Sequence, residues 1–267
     1  MKDLTNENII HIKHKTIEYI QFKKLLEYSD FLEHCYTLKT NGLDFRKYED
    51  STILEKNYKK LCEDFKFEYK NIIRPFQTHS DNIISIKGND KINLNEVDGL
   101  ITNQKNKILS LTYADCIPIY MLDSNKKVIS NIHSGWKGTV QKISKRAVEK
   151  MILDFGCNVK DIICCIGPSI CKKHFEVDAD VMLQFKKVFS YTKRIEEIIE
   201  SKKNIQGIQK YYIDTVLINR IILEEIGVKP ENIIESKICT VCNNSEFHSY
   251  RHSKELAGRN TALIYLK

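Results

Sequence analysis

Apolar positions along the chain recur at two spacings, one helical and one extended. Behind a Thr52-x-x-Glu55 capping-box pattern, Tyr58, Leu61, Cys62 and Phe65 fall at helical intervals, which predicts a helix over 52–66. A cleaner stripe of Val140, Ile143, Ala147, Val148, Met151 and Ile152 predicts a helix over 139–155 that stops near Gly156. Asp178 is placed to cap a helix carrying Val181, Met182, Phe185, Val188 and Phe189 on one face. Asp214 opens a further helix to Ile226, with Gly227 as its stop and Pro230 just beyond.

Between these stripes lie short β-branched runs that read as strands: DNIISIK, VISNIH at 128–133, DIICCIG at 161–167 and TALIYL. The long run KILSLTYADCIPIYML reads as one strand, and Pro118 within it predicts an edge position or a bulge. Residues 193–210 are polar with weak periodicity and predict a surface excursion. Strands and helices alternate throughout, so the expectation is α/β, a single mixed domain over 1–267 with helices packed outside sheet.

Composition narrows the class of protein without naming a task. With 267 residues, 42% hydrophobic and 29% charged, the chain can bury a substantial core, which excludes a disordered or collagen-like protein. The net charge of +7 comes from lysines spread in pairs along the chain, which fits a solvated basic surface and no nucleic-acid partner. No run approaches the roughly 18 apolar residues of a membrane span, and the start of the chain lacks an export signal. The expectation is therefore a cytoplasmic protein with no membrane partner, whose nine cysteines are mostly reduced thiols.

Reactive side chains concentrate at Gln77-Thr78-His79, Ala114-Asp115-Cys116 and His133-Ser134-Gly135-Trp136-Lys137-Gly138. If Ser124-Asn125 forms a two-residue hairpin turn, Asp123 pairs with Lys126 and Cys116 falls directly opposite His133. Opposed residues on antiparallel strands share a face, with Cβ atoms about 4.5–5.5 Å apart. A thiolate and an imidazole at that range suit zinc or copper, and His79 would complete a Cys-His-His set with an open position, as in a catalytic zinc site. The same spacing also fits a core cysteine with two hydrogen-bonded histidines. The Gly135 to Gly138 turn at the predicted helix start, with Lys137, suits a phosphate or other anion, and Trp136 suits either packing or stacking on a planar ligand. Farther on, Cys239-x-x-Cys242 followed by His248 and His252 has zinc-finger residue types, but with a gap of five residues where about twelve is usual. Arg251 and Arg259 more naturally supply guanidinium groups to a site or a carboxylate.

In order, QTHSDNI, DGLIT, TYADCIPI, IHSGWKGT, IGPSICKKHFEV, CT and FHSYRH…AGR resemble the YfiH/YlmD-type family, whose members are called multicopper polyphenol oxidases, laccase-domain proteins or purine nucleoside phosphorylases. The resemblance runs from about His34 onward. It implies layered β-sheets flanked by helices and a metal, usually zinc with copper as the other family assignment, held by His79, Cys116 and His133. It implies phosphorolysis of adenosine, inosine, guanosine and methylthioadenosine, and deamination of adenosine, with purine nucleosides and phosphate as the partners. Where the family often has an arginine followed by paired glycines, this chain has Lys39 and then Asn41-Gly42, so Lys39 would act on phosphate or substrate as a point charge.

A four-copper laccase needs paired His-x-His elements and a blue copper site, and none of the eight histidines forms such a pair. The residues thus point to a zinc nucleoside enzyme. In that reading Lys137, the Gly138 backbone and Arg251 hold phosphate, while Asp115 or Asp98 manages protons or orients a histidine ligand. Two other classes fit the same residues: a metal-free hydrolase with Cys116 as nucleophile and His133 as base, and a metal-binding protein without turnover.

Overall fold

The computed structural model describes residues 2–14, 16–46, 51–88, 92–203 and 207–267. In chain order the elements are β1 (Ile9–Lys13), β2 (Glu18–Phe22), α1 (Lys23–Leu26), β3 (Leu32–Thr37), α2 (Ser51–Phe65), β4 (Ile72–Ile73), β5 (Ile83–Ile86), β6 (Gly99–Thr102), β7 (Ile108–Tyr113), β8 (Ile117–Asp123) and β9 (Val128–Ser134). There follow α3 (Trp136–Val140), α4 (Ile143–Phe155), β10 (Ile162–Ile166), β11 (Glu176–Val177), α5 (Ala179–Phe189), α6 (Ile195–Ile198), β12 (Ile199–Lys203) and β13 (Gln209–Ile213). The remainder is α7 (Thr215–Glu225), β14 (Ile233–Glu235), α8 (Tyr250–Ser253) and β15 (Asn260–Leu266).

Two six-stranded sheets, β1-β2-β3-β15-β7-β4 and β14-β10-β8-β9-β6-β5, stack on a shared apolar layer. Phe22, Tyr36, Leu111, Tyr113 and Ile264 reach into it from the first sheet, and Leu100, Tyr120, Leu122, Ile129 and Cys165 from the second. The leucine, isoleucine and phenylalanine side chains among them each contribute about 1.5–3 kcal/mol by leaving water. Helix α2 covers the outer face of the first sheet through Tyr58 and Leu61. Helix α4 covers the second through Ile143, Ala147, Val148 and Met151. Strands covered on both faces have no solvent side, which is why β8, β10 and β15 read as nearly unbroken apolar runs. The α/β, layered-sheet expectation holds.

Several local expectations change. The run read as one strand is two, β7 and β8, in different sheets, broken at Ala114-Asp115-Cys116, where Asp115 takes φ 80°. Pro118 lies on neither an edge nor a bulge: β8 is internal, and Pro118 is the second residue at its open end, where a missing N–H costs little. The β8–β9 turn takes four residues rather than two, so Pro118, not Cys116, lies opposite His133. The shift is two residues, and because side chains alternate with period two, Cys116 keeps the face expected of it.

The helix expected over 139–155 is divided, because Lys142 adopts the left-handed conformation (φ 58°) between α3 and α4. Its ammonium lies 4.8 Å from the Tyr191 ring centroid and donates to the Tyr191 hydroxyl. Asp178 stands before α5 but pairs its carboxylate with Lys210 instead of capping the helix, whereas Asp214 caps α7 by accepting from the Leu217 N–H. The polar stretch 193–210 is not merely a surface excursion. It supplies α6, β12 and the start of β13, and with β11 these strands form a third sheet, β11-β13-β12. Its signal was weak because only one side packs, with Ile198 and Ile213 joining Phe185, Phe189, Ile218 and Ile222. Among the described residues no helix is long and apolar enough to cross a membrane.

That third sheet depends on one cluster centred on Phe185, which is fully buried. Replacing Phe185 by Ala is expected to cost about 3–5 kcal/mol in urea unfolding. A loss below about 1 kcal/mol would mean that this cluster does not belong to the cooperative core.

Candidate metal centre and its cavity

Asp98, immediately before β6, builds the centre. Its carboxylate is fully buried and accepts hydrogen bonds from the main-chain N–H groups of Thr78 (3.1 Å), His79 (3.1 Å) and Ser80 (2.7 Å), and from the Ser80 hydroxyl (2.7 Å). The 78–80 turn therefore wraps the carboxylate, with His79 itself at φ 61°. On the other side, His133 Nδ1 lies 2.7 Å from the same carboxylate, and the His133 main-chain N–H donates to the Asp98 carbonyl at 2.7 Å. With Nδ1 holding its proton toward Asp98, Nε2 is left to meet a ligand, as in a carboxylate–histidine–metal arrangement.

Cys116 reaches this point because the chain turns between the two sheets at Asp115. One donor atom each from His79, Cys116 and His133 lie within 4.8 Å of one another. Burial would raise the Cys116 thiol, but His133 and His79 beside it outweigh that and hold it at about 6. Burial would lower His133, yet the Cys116 sulfur and the Asp98 carboxylate lift it to about 9. Asp98, which burial would raise, is held at about 2 by His133 and Ser80. Gly135 leaves the space that this packing needs, since a Cβ there would lie 2.6 Å from the His79 ring and 3.4 Å from the Cys116 sulfur.

These three residues line a cavity of about 910 Å³ together with Gln77, Asp115, Trp136, Lys137 and Arg251. Gln77 clamps Thr112, accepting from its N–H at 2.9 Å and donating to its carbonyl at 3.0 Å. Trp136 lines the cavity and packs 6.5 Å from Phe185, centroid to centroid. The Lys137 ammonium lies 5.7 Å from the Trp136 ring.

Other expected residues are placed differently. Asp115 sits at the cavity, and its buried carboxylate accepts from the Thr240 hydroxyl (2.6 Å), the Ser249 hydroxyl (3.0 Å) and the Arg251 N–H (2.6 Å), so it anchors the distant chain. Arg251 gives two guanidinium N–H groups to the carbonyls of His174 (2.6 Å) and Glu176 (3.0 Å). Lys39 is not brought to the cavity: its ammonium donates to the Asn244 carbonyl. Gly138 lies inside the short α3, packed near the Ser80 carbonyl, and does not line the cavity. Phe175, Glu176, Val181 and Lys254 also line it, although the sequence offered Phe175 and Glu176 only within the IGPSICKKHFEV run and Val181 only as a helix-face residue, because long-range contacts bring them to the cavity. His248 and His252 do not join Cys239 and Cys242: His248 Nε2 donates to the Leu43 carbonyl at 2.8 Å, and His252 is exposed.

A family model described as multi-copper polyphenol oxidoreductase laccase matches residues 35–267. Among curated proteins, the purine nucleoside phosphorylase YlmD of Bacillus subtilis is 28% identical over 251 residues, 87% of each chain. The adenosine deaminase RL5 of an unknown prokaryotic organism is 33% identical over 215 residues, 78% of this chain and 79% of that one. Among solved structures, the hypothetical protein YfiH of Bacillus licheniformis superposes with a TM-score of 0.85 at 25% identity, covering 96% of this chain and 99% of that one.

Two measurements test the geometry. In metal-stripped protein, iodoacetamide labelling of the Cys116 peptide is expected to have its midpoint near pH 6, the reactive thiolate being present above that pH and lost below it. A midpoint near the ordinary thiol value of about 8.5 would contradict the imidazole pairing. Asp98→Asn is expected to weaken zinc binding about 10–100-fold in a chelator competition, because the His133 ring loses its orienting carboxylate.

Proposed function

The chain belongs to the multi-copper polyphenol oxidoreductase laccase family, and on that premise we propose that it is a zinc-dependent purine nucleoside phosphorylase that also deaminates adenosine. The observation that carries this reading is the His79, Cys116 and His133 donor set at the wall of a cavity of nucleoside size. Two imidazoles and one soft thiolate form a donor set that suits zinc, and three protein ligands leave a fourth position open to a reactant. Asp98 supplies the carboxylate that such a histidine ligand calls for. Four-copper chemistry does not fit, because the sequence has no His-x-His pair.

A zinc ion held there supplies Lewis acidity at an oxygen atom of the reactants. The chain's own residues do the rest. Lys137 places positive charge at the cavity for phosphate, and Trp136 and Phe175 offer flat faces to a purine. In phosphorolysis a phosphate oxygen bonds to C1′ as the C1′–N9 bond breaks. The electron pair leaves with the purine, which takes up a proton, giving the free base and ribose 1-phosphate. Asp98 keeps His133 oriented throughout, and Asp115 acts as a positioning residue by holding the 249–251 turn so that Arg251 stands at the cavity. Adenosine, inosine, guanosine and methylthioadenosine are the proposed substrates. The resemblance to adenosine deaminase RL5 supports the second activity, in which water replaces the 6-amino group.

Purified protein is expected to release adenine from adenosine only when phosphate is present, and Cys116→Ala is expected to abolish that release together with one bound zinc. Phosphorolysis undiminished by Cys116→Ala would overturn the role assigned to the metal. Loss of zinc with no nucleoside turnover in the parent protein would leave a binding protein in its place.

A further inference from the structure

We propose that Cys171, His174, Cys239 and Cys242 form a second, closed zinc site that fastens two distant loops into the wall of the cavity. The four residues come in two short turns, Cys171-x-x-His174 after β10 and Cys239-x-x-Cys242 after β14, and share no ligand with the centre at Cys116. One donor atom from each lies within 4.8 Å of the other three. His174 Nδ1 stands 3.3 Å from the Cys171 sulfur, 3.6 Å from that of Cys239 and 3.6 Å from that of Cys242. A zinc tetrahedron with the usual Zn–S and Zn–N lengths has S···N edges of about 3.6 Å. The spacing is that of a ligand shell, and three sulfurs with one imidazole complete a structural set with no open position.

The backbone is arranged for a thiolate. The Cys239 sulfur receives the main-chain N–H groups of Cys171 (3.4 Å) and Cys242 (3.5 Å). The two segments are already in register without the ion, since Ser169 bridges to Cys239 and the Thr240 N–H donates to the Ser169 carbonyl at 3.1 Å. By contrast, Cys35, Cys164 and Cys165 are buried singly among apolar side chains, which is how cysteines with a packing role sit. Cys242 is exposed, and packing does not account for it.

The site's position gives it a task. Thr240, beside Cys239, donates to Asp115, beside Cys116, and the Ile170 N–H donates to the Asp115 carbonyl at 2.9 Å. Arg251 binds the His174 and Glu176 carbonyls, and Phe175 and Glu176 line the cavity. A zinc ion at the four residues would therefore hold this wall in place by closing the long loop between the two turns.

Zinc content per chain tests this independently of any nucleoside activity. Cys242→Ser is expected to hold one zinc fewer than the parent protein, and the difference is to persist in a Cys116→Ala background, where the double variant binds none. Parent protein with one zinc that Cys242→Ser loses would support this site while counting against the centre at Cys116. Cobalt(II) loaded into Cys116→Ala is expected to give intense sulfur charge-transfer and tetrahedral bands that Cys171→Ser and His174→Ala weaken. Hydrogen exchange over 171–177 is to quicken on chelation in Cys116→Ala but not in the double variant. Unchanged zinc content in Cys242→Ser, or a disulfide joining any two of the three cysteines in freshly purified protein, would overturn the proposal.

Discussion

A single buried carboxylate holds the centre together. Asp98 satisfies three main-chain N–H groups of the 78–80 turn and the imidazole of His133, so the loop before β5, the start of β6 and the end of β9 share one anchor. Removing one partner of such a buried pair typically costs about 3–5 kcal/mol, because the other is left uncompensated. The same bond fixes which nitrogen of His133 faces the cavity. Stability and ligand geometry are therefore set by one group, and neither can change without the other.

Asp115 plays the matching part for the rest of the cavity. The break between β7 and β8 places Cys116 where the two sheets meet, and it puts a non-glycine residue, Asp115, at positive φ. Asp tolerates that conformation better than most residues, and three donors from the 240–251 segment hold it there. Backbone strain at this corner is offset by contacts far away in sequence. Those contacts also draw Arg251 and Tyr250 to the cavity.

How much of this was legible follows from the range of the interactions involved. The apolar runs of β8, β10 and β15 declared themselves because both faces are buried, and the stripe of α4 because its burial repeats with the period of the helix. The grouping of His79, Cys116 and His133 was legible from residue type and approximate register, which survived a two-residue error because strand faces alternate. The break at Asp115 and the division at Lys142 were not, since each depends on side chains that arrive from elsewhere. For Cys239 and Cys242 the sequence offers His248 and His252 as companions. Nearness in sequence suggested those two, whereas the fold supplies Cys171 and His174. The strands β1 to β3 lacked a clear pattern because polar groups lie among their buried positions, as where Gln21 donates to the His34 carbonyl and the Phe22 N–H donates to the His34 ring.

Strand β15 lies inside the first sheet, between β3 and β7, although it is made after both of them. During synthesis the chain must therefore hold two six-residue strands, β3 and β7, each with one open edge until β15 emerges to fill the gap between them. Such edges invite pairing with other chains. Vectorial folding from the first residues onward cannot close this sheet, so the shared apolar layer and the cavity above it assemble only after translation has passed the final strand.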